Sequence, residues 1–238
     1  MTKTFWGILV AVIIVLGGIY WASSNHNSKS TATQSSSSSN TPTSHIEGQG
    51  KDGITLLEYG DYECPYCSEY SPIVNQVASL YNTEIYFQFR NLPLTQIHTN
   101  AFAAARAAEA AGLQGKFWQM HDELYTNQSD WVDSSNPVPI FNDYAQQLGL
   151  NVSQFKSDYN GSAVNNAINA DVAAFNKTGQ EMATPTFFLN GVKINPVISL
   201  SSFEQIMNNE IQKKTGHPSP VTSTSSTSIN SSTTQSTQ

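Results

Sequence analysis

The chain has 238 residues but only two cysteines, and they stand three positions apart as Cys64-Pro65-Tyr66-Cys67. A disulfide closing so short a loop removes little entropy from the unfolded chain, so stapling is a weak reason to keep the pair. Small exported domains held together by disulfides carry several cysteines at long spacings instead. A lone, close pair is better explained as one that cycles between dithiol and disulfide. Zinc is one alternative, since CxxC is half of a four-ligand site. The other ligands would then have to be His98 and His121, which are too far apart to form a recognisable pair. Chance pairing in a buried core is the other alternative, and the local pattern speaks against it.

That local pattern is a strand running into a helix. Residues 54–59 (ITLLEY) are largely apolar on both alternating faces, as a central strand covered by helices would be. Gly60-Asp61 breaks the strand, and Pro65 suits the first turn of a helix, where its missing N–H is not needed. From Tyr66 to Leu80, the residues Tyr70, Ile73, Val74, Val77 and Leu80 recur at helical spacing. Pro72 inside that segment predicts a kink. Cys64 is therefore expected at a helix N-terminus, where unpaired N–H groups and the macrodipole stabilise a thiolate. Cys67, about one turn in, is expected to be shielded. Cys64 would attack and Cys67 resolve.

Far downstream lies MATPTFFLNG, residues 182–191. Residues 186–189 read as a strand, Asn190-Gly191 as a hairpin turn and residues 192–194 as the partner strand. Pro185 is then a proline at a strand start.

Taken together, these segments follow the element order of the thioredoxin fold: strand, CPYC, helix, strand (84–89), helical insertion, Thr-Pro strand, hairpin and a final helix (201–214). Over most of 50–214 the sequence resembles DsbA-like thiol oxidoreductases. LLEYGDYECPYC, HTNAFAAARAAEAAGLQGKFWQMHDELY and ATPTFFLNG carry the resemblance. It implies an α/β thioredoxin fold with a helical insertion at about 97–180 that caps the active site, its core including Leu124, Tyr144, Leu148 and Phe155. It also implies a cis Thr184–Pro185 bond whose loop lies against the redox pair and pairs with an extended substrate. Pro185 thus joins Cys64 and Cys67 as a catalytic candidate, and Thr184, Pro65 and Tyr66 are candidates for substrate contact.

Glu58 has two readings. A carboxylate on a doubly covered strand is rare, because burying a charge is costly. It lies six residues before Cys64, where family members often carry an acid beneath the redox pair, and there it could relay a proton to or from Cys67. Alternatively it reaches solvent at the strand end. Asp61 and Glu63 read as solvated loop charges that oppose thiolate formation. His98 and His121 read as residues that cap or pack helices. No metal and no cofactor is expected beyond the Cys64–Cys67 disulfide itself.

The chain termini bear on location. Residues 5–21 are an uninterrupted apolar run preceded by Lys3, with Phe5-Trp6 and Tyr20-Trp21 at its edges. Aromatics at both edges suit a spanning helix, and seventeen residues at about 1.5 Å rise cover roughly 25 Å, the short end for a bilayer core. Residues 1–21 are therefore expected to be a single-pass membrane anchor, with a cleaved signal peptide as the competing reading. Either places the domain outside the cytoplasm. Residues 22–49 and 215–238, rich in Ser and Thr, read as disordered linker and tail flanking a domain at 50–214. A net charge of −7 with scattered basic residues argues against a nucleic-acid partner.

The direction of electron flow is less constrained. The residues between the cysteines tune thiolate stability and potential. Strong oxidants of the family often carry His where this chain has Tyr66, and CPYC also occurs in glutaredoxins. Export favours donating disulfides to exported cysteine-containing proteins, with reoxidation by a quinone-linked membrane partner as in the family. An exported reductase or disulfide isomerase of the same fold is the alternative. From another class, a tethered binding module without redox activity remains open.

Overall fold

The computed structural model describes residues 41–221. The expected membrane helix at 1–21, the linker up to residue 40 and the tail from 222 lie outside the described residues. Among the described residues no helix is long and apolar enough to cross a membrane.

A five-stranded mixed sheet forms the centre, with order β1-β3-β2-β4-β5. Its strands are β1 (His45–Glu47), β2 (Ile54–Gly60), β3 (Ile85–Asn91), β4 (Thr186–Leu189) and β5 (Val192–Ile194). Only β2 and β3 run parallel, joined through helix α1 (Pro65–Leu80); the remaining pairs are antiparallel. The parallel pair needs a crossover, and α1 is that crossover, which is why the cysteines at its start sit at one end of the central strand. Asn190 and Gly191 both adopt positive φ, at 50° and 81°. That is the two-residue turn anticipated between β4 and β5, because a turn matching the strands' twist requires left-handed backbone at both central positions.

The two-faced character of β2 appears as two separate cores. Ile54 and Leu56 pack with Val74 and Val77 of α1 and with Phe203, Met207 and Ile211 of the last helix, α8 (Leu200–Thr215). Tyr59, on the opposite face, joins Phe175 and Phe188. Six helices intervene between β3 and β4: α2 (Ala101–Gly112), α3 (Phe117–Thr126), α4 (Gln128–Trp131), α5 (Val138–Gln147), α6 (Val152–Tyr159) and α7 (Ser162–Asn176). Alanines dominate α2, combining the best helix former with a small side chain that lets α3, α6 and α7 approach. Leu124, Tyr144 and Phe155 are buried in this layer and Leu148 packs at its edge, as expected for cap core. Cys64 and Cys67 belong to the same buried cluster, so the insertion covers the redox pair directly.

Two expectations change. The packed chain begins before residue 50: β1 pairs with β3, and Thr43 donates from its backbone N–H and its hydroxyl to Asp171 of α7, at 2.7 and 2.8 Å. His45 stacks on Phe117 with ring centroids 3.4 Å apart and contacts the Glu109 carboxylate at 2.8 Å. The end of the Ser/Thr-rich segment 22–49 is therefore sheet and not linker, because its residues find partners both in β3 and in the insertion. Helix α1 continues from Pro65 to Leu80 with Pro72 inside it, its buried face offsetting the one hydrogen bond that proline removes. Asp61 and Glu63 are not solvated loop charges, for the reasons given next.

Candidate active site

β2 ends at Gly60, and the chain turns through residues 61–63 into α1. Cys64 is the N-cap of that helix, with extended backbone (φ −69°, ψ 123°), and Pro65 occupies the first turn with its φ already set for a helix. Cys67, one turn in, is fully buried, whereas Cys64 keeps 4% of its surface; both are free thiols.

The acidities of the pair diverge. A hydrogen bond from the Cys67 thiol is the main force lowering Cys64, from 9.0 to about 6, against its burial and with help from Thr184 and the N–H groups of Cys67 and Tyr66. Burial pushes Cys67 well above its ordinary range, and the hydrogen bond it gives to Cys64 adds to the effect. One sulfur is thus held ready as a thiolate and the other as a thiol, although both lie on one helical turn.

The strand-start loop closes on this pair as anticipated. The Thr184–Pro185 bond is cis, and the Cys64 thiol donates to the Thr184 carbonyl at 3.4 Å. The Thr186 hydroxyl donates to the Ala183 carbonyl at 2.7 Å, bracing the loop from behind. Thr184 and Pro185 are half-buried, while Pro65 and Tyr66 form an exposed rim, with Tyr66 64% accessible.

Of the two readings of Glu58, the buried one holds: it is 2% exposed, paired in register with Phe89 on one side and Phe187 on the other. Burial first, and the neighbouring Cys64 charge second, raise its carboxyl from 4.5 to about 8. Near neutral pH it therefore holds a proton, close enough to the pair to feel the Cys64 charge.

The loop charges are structural anchors. Asp61 is 1% exposed and accepts from the Glu63 N–H at 2.8 Å, from the Leu94 N–H at 2.8 Å and from His98 Nδ1 at 2.7 Å. Glu63 accepts from the Asn100 N–H at the start of α2. His98 thus pairs with the turn that follows β2. His121 does pack, buried at 2% with Nδ1 3.1 Å from the Tyr62 hydroxyl. Among the described residues no cluster of three or more His, Cys, Asp or Glu is arranged to hold a metal.

Two contributors escaped the sequence reading. The Gln128 amide donates to the carbonyls of Tyr62 at 2.7 Å and Cys64 at 3.1 Å, clamping the active-site turn from the insertion. The Tyr125 hydroxyl packs against Gly60 at the end of β2. Both sit some sixty residues from the cysteines, and no spacing signal links such positions before the chain folds.

Comparison with known proteins agrees with this geometry. The family model described as Thioredoxin matches residues 40–209. Among solved structures, a thioredoxin-like oxidoreductase from Silicibacter pomeroyi is 24% identical, with a TM-score of 0.59 over 72% of this chain and 94% of its own. BdbD from Bacillus subtilis, in its oxidised form, is 21% identical, with a TM-score of 0.62 over 73% and 94%. Alpha-DsbA1 from Wolbachia pipientis is 21% identical, with a TM-score of 0.60 over 74% and 92%. Among curated proteins, Na(+)/H(+) antiporter NhaA 1 of Mycolicibacterium gilvum is 37% identical over 151 residues, 62% of this chain and 23% of that protein. The namesake from Salinispora arenicola is 40% identical over 150 residues, 62% of this chain and 22% of its own length. The chain thus spans about a quarter of the length of the curated relatives it matches. With the strand order, the CPYC helix start and the cis-proline loop in place, the chain belongs to the thioredoxin family, and its fold is like that of the solved DsbA structure.

Proposed function

We propose that the chain is an extracytoplasmic thiol–disulfide oxidoreductase that exchanges disulfides with exported cysteine-containing proteins through Cys64 and Cys67. The observation that carries this is the split in acidity within one helical turn: Cys64 is lowered to about 6 while Cys67 is pushed well above its ordinary value. A structural cysteine pair has no need of such a division, whereas disulfide exchange requires an attacking thiolate and a shielded resolver.

In the first step a substrate thiolate attacks Cys64 Sγ of the oxidised protein. A substrate–Cys64 bond forms, the Cys64–Cys67 bond breaks, and the electron pair leaves on Cys67. Glu58, protonated at neutral pH, supplies the proton that Cys67 then takes up. In the second step another substrate thiolate attacks the mixed disulfide, the product disulfide departs, and Cys64 is left as a thiolate. Thr184 and Pro185 offer the extended edge on which a substrate segment would lie, with Tyr66 and Pro65 at its rim. Residues 1–21 would tether the domain to the membrane with the catalytic part outside the cytoplasm, and a quinone-linked membrane partner would restore the disulfide. The chemistry rests on the cysteine pair and not on the antiport that the longer relatives' names carry.

The equilibrium reduction potential of the pair against glutathione decides the direction. A Cys64 value of about 6 lies between about 7 for thioredoxin and about 3.5 for DsbA. A potential towards about −120 mV supports disulfide donation; one towards about −270 mV replaces it with the exported reductase reading. A Cys64→Ser protein that still refolds reduced ribonuclease at the wild-type rate would overturn the assignment altogether.

A further inference from the structure

Two tyrosines from distant parts of the chain meet beneath the cysteines. Tyr62, in the turn before Cys64, and Tyr125, near the end of α3, are buried at 1% and 4% exposure, with ring centroids 4.9 Å apart. Their hydroxyls differ. That of Tyr62 has a partner, His121 Nδ1 at 3.1 Å, on a ring that burial keeps neutral, its pKa lowered to about 3. The Tyr125 hydroxyl is sealed from solvent and has no hydrogen-bond partner. It points at the end of β2: a Cβ added to Gly60 would lie 2.9 Å from Oη. The next residue, Asp61, directs its backbone N–H at the Cys67 sulfur. Cys67 and Tyr62 share the buried cluster of Tyr125, charge on Cys67 or Glu58 bears on its phenol, and the His121 ring stands 5.0 Å away.

Buried hydroxyls are rarely left without a partner, because the desolvation of the group then goes uncompensated. An oriented donor that is idle in the resting protein gains a partner if negative charge develops beside it during the reaction. We propose that the Tyr125 hydroxyl is a waiting donor for the Cys67 sulfur, forming its hydrogen bond when that sulfur departs as a thiolate. The proposal rests on the redox reading above. As the substrate–Cys64 bond forms and the Cys64–Cys67 bond breaks, the electron pair passes to Cys67 Sγ. Tyr125 donates a hydrogen bond to that charge and keeps its own proton, while Glu58 supplies the proton that neutralises it. Burial holds the phenol of Tyr125 well above its ordinary acidity range, so it donates without ionising.

The test is Tyr125→Phe in the full chain, which removes one oxygen and leaves the ring. The rate at which glutathione opens the Cys64–Cys67 disulfide should fall about tenfold, the usual effect of a hydrogen bond to a charged group. The thermal midpoint should hold or rise, since an unpartnered buried hydroxyl is gone. A second readout needs no activity. In Cys64→Ala protein the hydrogen bond and charge by which Cys64 raises Cys67 are absent, and the ¹³Cβ shift of Cys67 reports its titration alone. Adding Tyr125→Phe there should raise the midpoint by about one pH unit, the same tenfold effect. Incorporation of 3-fluorotyrosine at position 125, a stronger donor on the same ring, should move both readouts the opposite way. An opening rate within twofold of wild type, or an unmoved Cys67 midpoint, overturns the proposal. A wild-type disulfide inert to glutathione counts against the redox reading alone, and the Cys67 midpoint still decides the role of Tyr125.

Discussion

Replacing Glu58 with Gln should change how the stability of this protein depends on pH. The carboxyl titrates at 4.5 in an ordinary setting and at about 8 in the fold, where burial and the Cys64 charge disfavour its ionised form. Between those values the folded chain holds a proton that the unfolded chain has released. Protons then favour the native state, so the contribution is fully present below about pH 4.5 and is lost as pH rises through about 8. At about 1.4 kcal/mol per unit the loss comes to about 5 kcal/mol, a large share of the 5–15 kcal/mol that typically separates folded from unfolded domains. Glutamine has nearly the same shape and does not titrate, so the difference between wild type and Glu58→Gln reports this group together with its coupling to the Cys64 charge. Urea unfolding of both reduced proteins from pH 4 to 9 measures it. The variant should gain on the wild type steadily between pH 4.5 and 8 and by a constant amount above. A difference that stays within about 1 kcal/mol over that window would mean the carboxylate reaches water, and the proton-relay role would fall with it.

Further outcomes follow from the same geometry. Alkylation of the reduced protein by iodoacetamide, followed by mass spectrometry, should modify Cys64 with a midpoint near pH 6 and leave Cys67 untouched, because the first is lowered to about 6 and the second is fully buried; equal reaction at both would contradict the division of roles. Gly60→Ala should cost about 1–3 kcal/mol by urea unfolding, since its Cβ would lie 2.4 Å from a Phe89 ring carbon and 2.9 Å from the Tyr125 hydroxyl in a packed core; an unchanged unfolding midpoint would show that the strand end yields. Asp61→Ala strands the Glu63 and Leu94 N–H groups and His98 Nδ1 in a buried turn, and a loss of about 3 kcal/mol or more is expected from the same assay; a loss below 1 kcal/mol would mean that water replaces the carboxylate.

Some of this protein could be read directly from the order of its residues. The doubly apolar strand, the CPYC helix start, the 3.6-residue rhythm from Tyr66 to Leu80 and the Asn190-Gly191 hairpin are local patterns, and each formed where expected. Strand and helix periodicities depend on neighbours a few residues away, so sequence carries them in full. The Thr-Pro segment gained its meaning only beside the CPYC, through resemblance, and the fold brought the two within 3.4 Å. Asp61 and Glu63 are illegible in the sequence for the opposite reason. Charges in a turn are usually solvated, and nothing nearby announces that Leu94, His98 and Asn100 will supply donors from the next connection.

Sequence by itself determined which atoms could carry the chemistry: two sulfurs one helical turn apart at a strand–helix junction, an acid six residues earlier and a proline loop far downstream. Tertiary structure alone decided what those atoms are. Whether Glu58 is an ordinary surface acid or a protonated group at about 8, and whether the Tyr125 hydroxyl meets water or is sealed without a partner, depends on which distant segments close around them. Desolvation is the physical reason. The acidity of a group follows from how much water its neighbours exclude, and those neighbours are assembled only when the chain closes around it.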